Sequence, residues 1–261
     1  MDFNLLPQDT IEIIILLAIA DEIHLKIFRL TNKSLRKVVM RLITLKRITI
    51  PKNTSFNKCA WAVEHGHLEL LKWAREIGCP LSNFTFDTAA ENGHLEVLKW
   101  ARENGCPWTY WTCAKAASNG HLEVLKWARE NGCPWTYWTC AFAASNGHLE
   151  VLKWAHENGC EWNSATCARA AHKGHLEVLK WVRSQNCPWD SFTCSYAALN
   201  GRLEVLKWAH VNGCEWDSWV CFNAVEYGHQ ELLKWAIEHG CPIDDRTKID
   251  MTDKWPDIFK S

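Results

Sequence analysis

The stretch GHLEVLKW, Gly93 to Trp100, constrains this chain more than any other. It recurs as Gly66–Trp73, Gly120–Trp127, Gly147–Trp154, Gly174–Trp181, Gly201–Trp208 and Gly228–Trp235, with small changes and a fixed spacing of 27 residues. A period of this size marks a stacked-repeat architecture. A unit so short cannot bury its own apolar face, so its neighbours must cover it. The columns of Ala89, Gly93, Glu96, Leu98, Lys99 and Trp100 hold the same residue in all seven copies.

One unit, Ser82–Trp108, can be read as two helices. The column Ser55, Ser82, Thr109, Thr136, Asn163, Asp190, Asp217, Asp244 contains only residues that cap helix N-termini, so a helix starts after each. Phe86, Ala89 and Ala90 follow i, i+3, i+4 spacing and form its buried stripe; other copies replace Phe86 by Cys59, Cys113, Cys140, Cys167, Cys194 or Cys221. Small Ala and Cys let neighbouring helices approach closely. Gly93 ends this helix, where a left-handed residue is expected. A second helix from about His94 to Asn104 is expected to bury Leu95, Leu98 and Ala101 together with Trp100, with Glu96 and Lys99 forming an ion pair. The Gly105 column then closes the helix, with Asn186 in one copy; asparagine is the next residue to tolerate left-handed geometry.

The run Thr-Cys-Ala-x-Ala-Ala-x-x-Gly-His-Leu-Glu-Val-Leu-Lys, residues 112–126, resembles the ankyrin repeat over residues 55–243. The usual ankyrin repeat is about 33 residues long, so the projecting hairpin should be cut to a short loop here. The resemblance implies an all-α fold, an ankyrin-like helical solenoid of about seven helix–turn–helix repeats at 55–243. A helical segment at 1–54 precedes it and a polar half-repeat cap at 244–261 follows.

Residues 1–54 carry Ile11, Ile14, Ile15 and Ala18 at helical spacing after Pro7, then Ile23, Ile27, Leu30 and Leu35 among basic residues. One reading is a cap that covers the first repeat. The other is a resemblance: Leu6 and Pro7, then Ile14, Leu17, Leu25, Leu30 and Thr31-Asn32-Lys33 look like an F-box, which docks on the Skp-type adaptor of a cullin–RING ubiquitin ligase. The segment departs from that pattern at Leu35, where an F-box has an aromatic. An F-box-like start joined to short ankyrin-type repeats resembles proteins of large DNA viruses and some protists.

The formal charge of −1, from 29 basic and 30 acidic residues, argues against a strongly electrostatic nucleic-acid or membrane surface. The apolar run Ile11–Ala20 has no basic region before it and is too short to span a bilayer. The thirteen cysteines are therefore expected in a reducing compartment, which places the chain inside the cell, in the cytoplasm (of the host, if viral). Cysteines of one column are a helix-packing distance apart, roughly 8–10 Å, too far to share a zinc ion. Within a unit, Cys106 and Cys113 could be closer, but no C-x-x-C pair or adequate second pair accompanies them. The His67, His94, His121, His148, His175, His229 column, with Arg202 in the remaining copy, suits a structural hydrogen bond at the inter-helix turn. No nucleophile, paired-carboxylate or phosphate-loop motif appears, so neither enzymatic activity nor a cofactor is expected.

Partner choice in a repeat array resides in the columns that vary. Three of them, headed by Asn57, Trp61 and Glu64, are spaced i, i+4 and i+7 and so share one face of the first helix. The candidate partner-binding residues are Trp61, Trp111, Lys115, Trp138, Phe142, Arg169, Phe192, Tyr196 and Trp219, because exposed aromatics and arginine anchor protein interfaces. The expected function is a substrate-recruiting adaptor that holds a target protein on a concave face and docks through residues 1–54. A plain binding scaffold is the alternative, and a nucleic-acid-binding solenoid a weaker one. The chain is expected to be a monomer.

Overall fold

Each unit opens on a residue whose side chain can accept from the backbone just ahead of it. In the computed structural model, which describes residues 58–76 and 80–255, Thr109, Thr136, Asn163, Asp190 and Asp217 stand extended at helix N-caps. Thr109 Oγ1 accepts from the Trp111 amide at 3.1 Å and Asp217 Oδ1 from the Trp219 amide at 3.1 Å. The first helices are α1 (Lys58–Glu64), α3 (Asn83–Glu91), α5 (Tyr110–Ser118), α7 (Tyr137–Ser145), α9 (Ser164–Lys173), α11 (Ser191–Leu199) and α13 (Ser218–Glu226). The second helices are α2 (Leu68–Glu76), α4 (Leu95–Glu103), α6 (Leu122–Glu130), α8 (Leu149–Glu157), α10 (Leu176–Ser184), α12 (Leu203–Val211) and α14 (Gln230–Glu238); α15 (Asp245–Lys254) closes the series.

First helices pack directly on one another in chain order, and each also packs on its own second helix. The stripe Cys113, Ala116, Ala117 and its counterparts are fully buried, as are Thr112 and Ala114 beside them. Second helices of successive units make less contact, because larger side chains lie between them. Their buried face is Val97, Leu98 and Ala101. Leu95 and Trp100, expected inside, are half-buried at the edges of that face. Leu95 is the first residue of its helix, and the counterpart of Trp100 in the next unit, Trp127, meets Trp108 from the loop before that unit, so these side chains cover the core from its rim.

Both turns are Schellman motifs. At the inter-helix turn the His94 amide bonds to Ala89 O at 2.9 Å and the Gly93 amide to Ala90 O at 3.3 Å. At the unit's end the same pattern joins Cys106 to Ala101 O and Gly105 to Arg102 O. Gly93 has φ 74 and Asn186 has φ 60, the left-handed geometry expected of both columns. Gly93 is also needed for room: a Cβ there would lie 2.7 Å from the His121 ring of the next unit. That ring is held by Nε2 against Glu91 O at 3.0 Å. His94, His148 and His229 bond in the same way to the carbonyls of Glu64, Ser118 and Leu199. The histidine column is thus an inter-repeat hydrogen-bond ladder. A ring N–H donates in the neutral form, and burial keeps His175 below its usual pKa.

The cysteines following the second helices bond backward to the N-cap carbonyl of their own unit. Cys106 Sγ donates to Ser82 O at 3.0 Å, Cys160 to Thr136 O at 3.4 Å and Cys214 to Asp190 O at 3.4 Å. Burial pushes the Cys106 thiol up to about 11. The neighbour of a first-helix cysteine lies in its own unit: Cys140 Sγ reaches the Cys160 carbonyl at 3.9 Å, so Cys113 has Cys133 beside it rather than Cys106. At the array's end Asp244 caps α15, accepting from the Thr247 amide at 2.7 Å, a bond that lowers its carboxyl pKa. Met251 and Thr247 are buried, and Lys254 Nζ donates to Val225 O and Glu226 O at 2.6 and 3.1 Å. This cation satisfies the last carbonyls of α13 as the histidines do elsewhere.

The two glycine columns should respond differently to alanine. Gly132 has open space around a new Cβ, so Gly132→Ala should cost only the left-handed strain, about 1 kcal/mol. At Gly120 the Cβ would meet the His148 ring at 2.8 Å, so Gly120→Ala should cost about 1 kcal/mol more as the His148–Ser118 bond is lost. Asn186→Gly should be neutral or stabilising. Thermal and denaturant melts of the three variants measure the order.

Candidate partner-binding surface

The N-cap of each first helix fixes which side chains face outward. Two residues after the cap comes the column of Phe84, Trp111, Trp138, Ala165, Phe192 and Trp219. Phe84, Phe192 and Trp219 are 62%, 59% and 58% exposed, and Trp111 and Tyr196 lie at 37% and 36%. Trp138, Phe142, Arg169 and Lys115 are half-buried. The side chain of Trp61 lies outside the described residues, as do Leu6, Pro7, Ile14, Leu17, Leu25 and Leu30 in the N-terminal segment.

Rings from successive helices touch. Trp111 of α5 meets Phe142 of α7 with centroids 6.0 Å apart, and Phe142 stacks on Trp138 at 5.4 Å. The Arg169 guanidinium of α9 lies 5.6 Å from the Trp138 ring and 5.9 Å from the Phe142 ring. Within reach of the next helix, His172 packs edge-on against Tyr196 at 5.7 Å, and Phe192 against Tyr196 at 5.9 Å. The structure therefore brings Trp111, Trp138, Phe142 and Arg169 into one group and Phe192 and Tyr196 into a second. Trp219 stands apart from both, packed on Phe222 at 5.1 Å.

Two features depart from a uniform exposed strip. Lys115 Nζ is bonded to Glu91 Oε1 of the preceding first helix at 3.0 Å, so its charge is already answered. Ser145 and Asn223, at strip positions, are buried, and Asn223 Nδ2 donates to Ser195 O at 2.9 Å. Tyr110 and Tyr137, absent from the sequence-derived strip, pack on Trp111 and Trp138 at 5.1 and 4.9 Å. Their signal in the sequence was adjacency to the varied column.

A second aromatic series runs along the loops and was not anticipated. Trp108 meets Trp127 edge-on at 6.0 Å, and Trp135–Trp154, Trp162–Trp181, Trp189–Trp208 and Trp216–Trp235 repeat that contact. Arg102, Arg129 and Arg183 lie about 4 Å over the loop rings, and His156 and His210 stack in the same place on Trp162 and Trp216. The clue was a cationic or imidazole residue six positions before each loop tryptophan. Each of these rings packs against the core, so the series holds successive units together. The outward Glu–Lys pairs of the second helices, such as Lys99–Glu96 at 2.8 Å, neutralise one another. Among the described residues there is no cluster of metal-ligating side chains and no helix long and apolar enough to cross a membrane.

The strip and the core tryptophans should separate on mutation. Trp138→Ala and Phe142→Ala should change stability by no more than about 1 kcal/mol, the worth of an aromatic pair. Trp127→Ala removes a ring wedged between two units and should cost roughly 2–4 kcal/mol, somewhat less than a fully buried ring. Melts of the three variants report the order, and a Phe142→Ala protein as unstable as Trp127→Ala would show that the strip is structural.

The family model for ankyrin repeats (many copies) matches residues 86–129, 113–156 and 140–183. No curated protein matches the chain. Among solved structures, the crystal structure of the human ASB11 ankyrin repeat domain is similar at 18% sequence identity with a TM-score of 0.49; the similarity covers 60% of this chain and 84% of that one. Residues 86–183 match ankyrin repeats, which indicate a protein-interaction scaffold; units of the same period continue them on both sides, and the described array is a helical solenoid.

Proposed function

We propose that the repeats hold a target protein on the first-helix strip while residues 1–54 dock on a Skp-type adaptor, so that the chain recruits a substrate to a cullin–RING ubiquitin ligase inside the cell. The observation that carries target binding is the aromatic–cation group of Trp111, Trp138, Phe142 and Arg169. Free-standing aromatics on a solvated face would be expected to drift toward polar residues. Here large rings span consecutive helices with their outer faces toward solvent, which is how interface anchors are arranged. Rings pre-stacked in this way lose little side-chain freedom when a partner covers them.

Docking rests on the sequence of the N-terminal segment, where Leu6-Pro7, Ile14, Leu17, Leu25 and Leu30 resemble an F-box. The test is co-purification. Leu6→Ala combined with Pro7→Ala should abolish recovery of the Skp-type adaptor and leave the melting transition of the repeats unchanged. Equal recovery with the double variant, or none with the native chain, would reduce the molecule to a binding scaffold whose N-terminus is a cap. Loss of the target with Trp138→Ala, without loss of the adaptor, would separate the two activities.

A further inference from the structure

The four consecutive first helices α5, α7, α9 and α11 contain no Asp or Glu. The chain as a whole is nearly neutral, so this face departs from the average. Its one bridged cation is Lys115; Arg169 and Lys173 of α9 have no carboxylate partner among the described residues, and neither does Arg202, which opens the next turn. Arg169, His172 and Lys173 are spaced i, i+3, i+4 on α9. Arg202 joins them from the following unit: its Cδ and Nε lie 2.9 and 3.1 Å from where a Cβ on Gly174 would be.

Arg202 is the informative departure. Every other copy has histidine there, and for His94, His121, His148 and His229 the Nε2 bond ties two units together. Arg202 makes no such bond among the described residues, so the ladder is interrupted between His172 and Arg202. The columns of His172 and Lys173 change in the unit just before it. His172 and Lys173 stand where the adjoining copies have Ser118-Asn119, Ser145-Asn146 and Leu199-Asn200. Asn146 donates to Ser118 Oγ of the preceding unit at 2.9 Å; at the equivalent step here Asn200 Nδ2 and His172 Nδ1 are left without partners. Cations near a helix C-terminus complement its dipole, which accounts for Lys173. It does not account for an arginine that gives up a ladder bond in order to stand beside two other cations. Burial first, then Lys173, Arg169 and Arg202, keep the His172 imidazole below its usual pKa and so neutral.

We infer that the target meets the strip with an acidic stretch of polypeptide, its carboxylates placed on Arg169, Lys173 and Arg202 and its apolar or aromatic side chains on Trp138, Phe142 and Tyr196. Three cations gathered without counter-charge repel one another in the free chain, and carboxylates relieve that repulsion while making charge-assisted bonds. A polypeptide fits better than a nucleic acid because the cationic area is confined to one unit and its neighbour. A phosphate backbone would seek a longer basic track. The inference rests on the strip being the binding face.

The test is fluorescence anisotropy on the full chain with three labelled probes: (Glu-Glu-Tyr)5, (Lys-Lys-Tyr)5 and the oligonucleotide dT15. The acidic peptide should bind, the basic one should not, and dT15 should bind more weakly than the acidic peptide. The triple variant Arg169→Ala, Lys173→Ala, Arg202→His should lose at least about tenfold in affinity for the acidic peptide. It should melt no lower than the native chain, because His at 202 restores the ladder bond. Equal binding of the two peptides, no binding of any probe, tighter binding of dT15, or full affinity in the triple variant each overturns the inference. If the triple variant keeps its affinity but Trp138→Ala with Phe142→Ala loses it, the strip remains the binding face and only its charge preference is wrong. If neither variant changes binding, the strip reading falls as well.

Discussion

Everything in this array depends on how closely one first helix can lie against the next. Ala114, Ala116, Ala117 and Cys113 present almost no side chain on the contacting surfaces, so α5 packs directly on α3 and α7 with backbone near backbone. A solenoid has no central core, and each unit is stable only through its two neighbours. The close helix contact is what makes those nearest-neighbour terms favourable. The histidine ladder and the cysteine S–H bonds to N-cap carbonyls then satisfy backbone oxygens that the close approach removes from water.

That constraint divides the aromatic residues into two populations. Small residues fill the helix–helix contact, so large rings are pushed to its two margins. On the loop side, tryptophans wedge between second helices, each covered by Arg or His, and hold the units together. On the outward face of the first helices, rings stack from unit to unit but stay open to solvent. The same residue type therefore has two roles, set by which margin it occupies. The core tryptophans from Trp127 to Trp235 all keep a loop-tryptophan partner, whereas the outward ones change from Trp to Ala to Phe along the array.

The outward face also differs in charge. On the second helices Glu and Lys neutralise one another in pairs, and Glu91 and Glu226 bound the strip at α3 and α13. Between them, acidic residues are absent from the first helices, and the unit at 190–216 carries Arg202 where the ladder has histidine. Regularity elsewhere makes such a local exception readable. An irregular fold would have offered no expected residue to compare it with.

The 27-residue period, the N-cap column and the two glycine columns were legible in the sequence alone, down to Asn186 taking the left-handed place of glycine. These are local matters: cap hydrogen bonds and backbone handedness depend on a few adjacent residues, and repetition shows the rule several times over. The histidine column could be assigned a structural bond, but its acceptor in the preceding unit could not be read, because it lies across the stack. Val97 rather than Leu95 in the core, Cys133 rather than Cys106 beside Cys113, and burial of Ser145 and Asn223 in an otherwise open strip were likewise decided only by tertiary packing. Helical periodicity tells which residues share a face; it does not tell how far a neighbouring helix or loop reaches over the edge of that face. That reach decided which rings became wedges, which cations found partners, and which were left without a counter-charge.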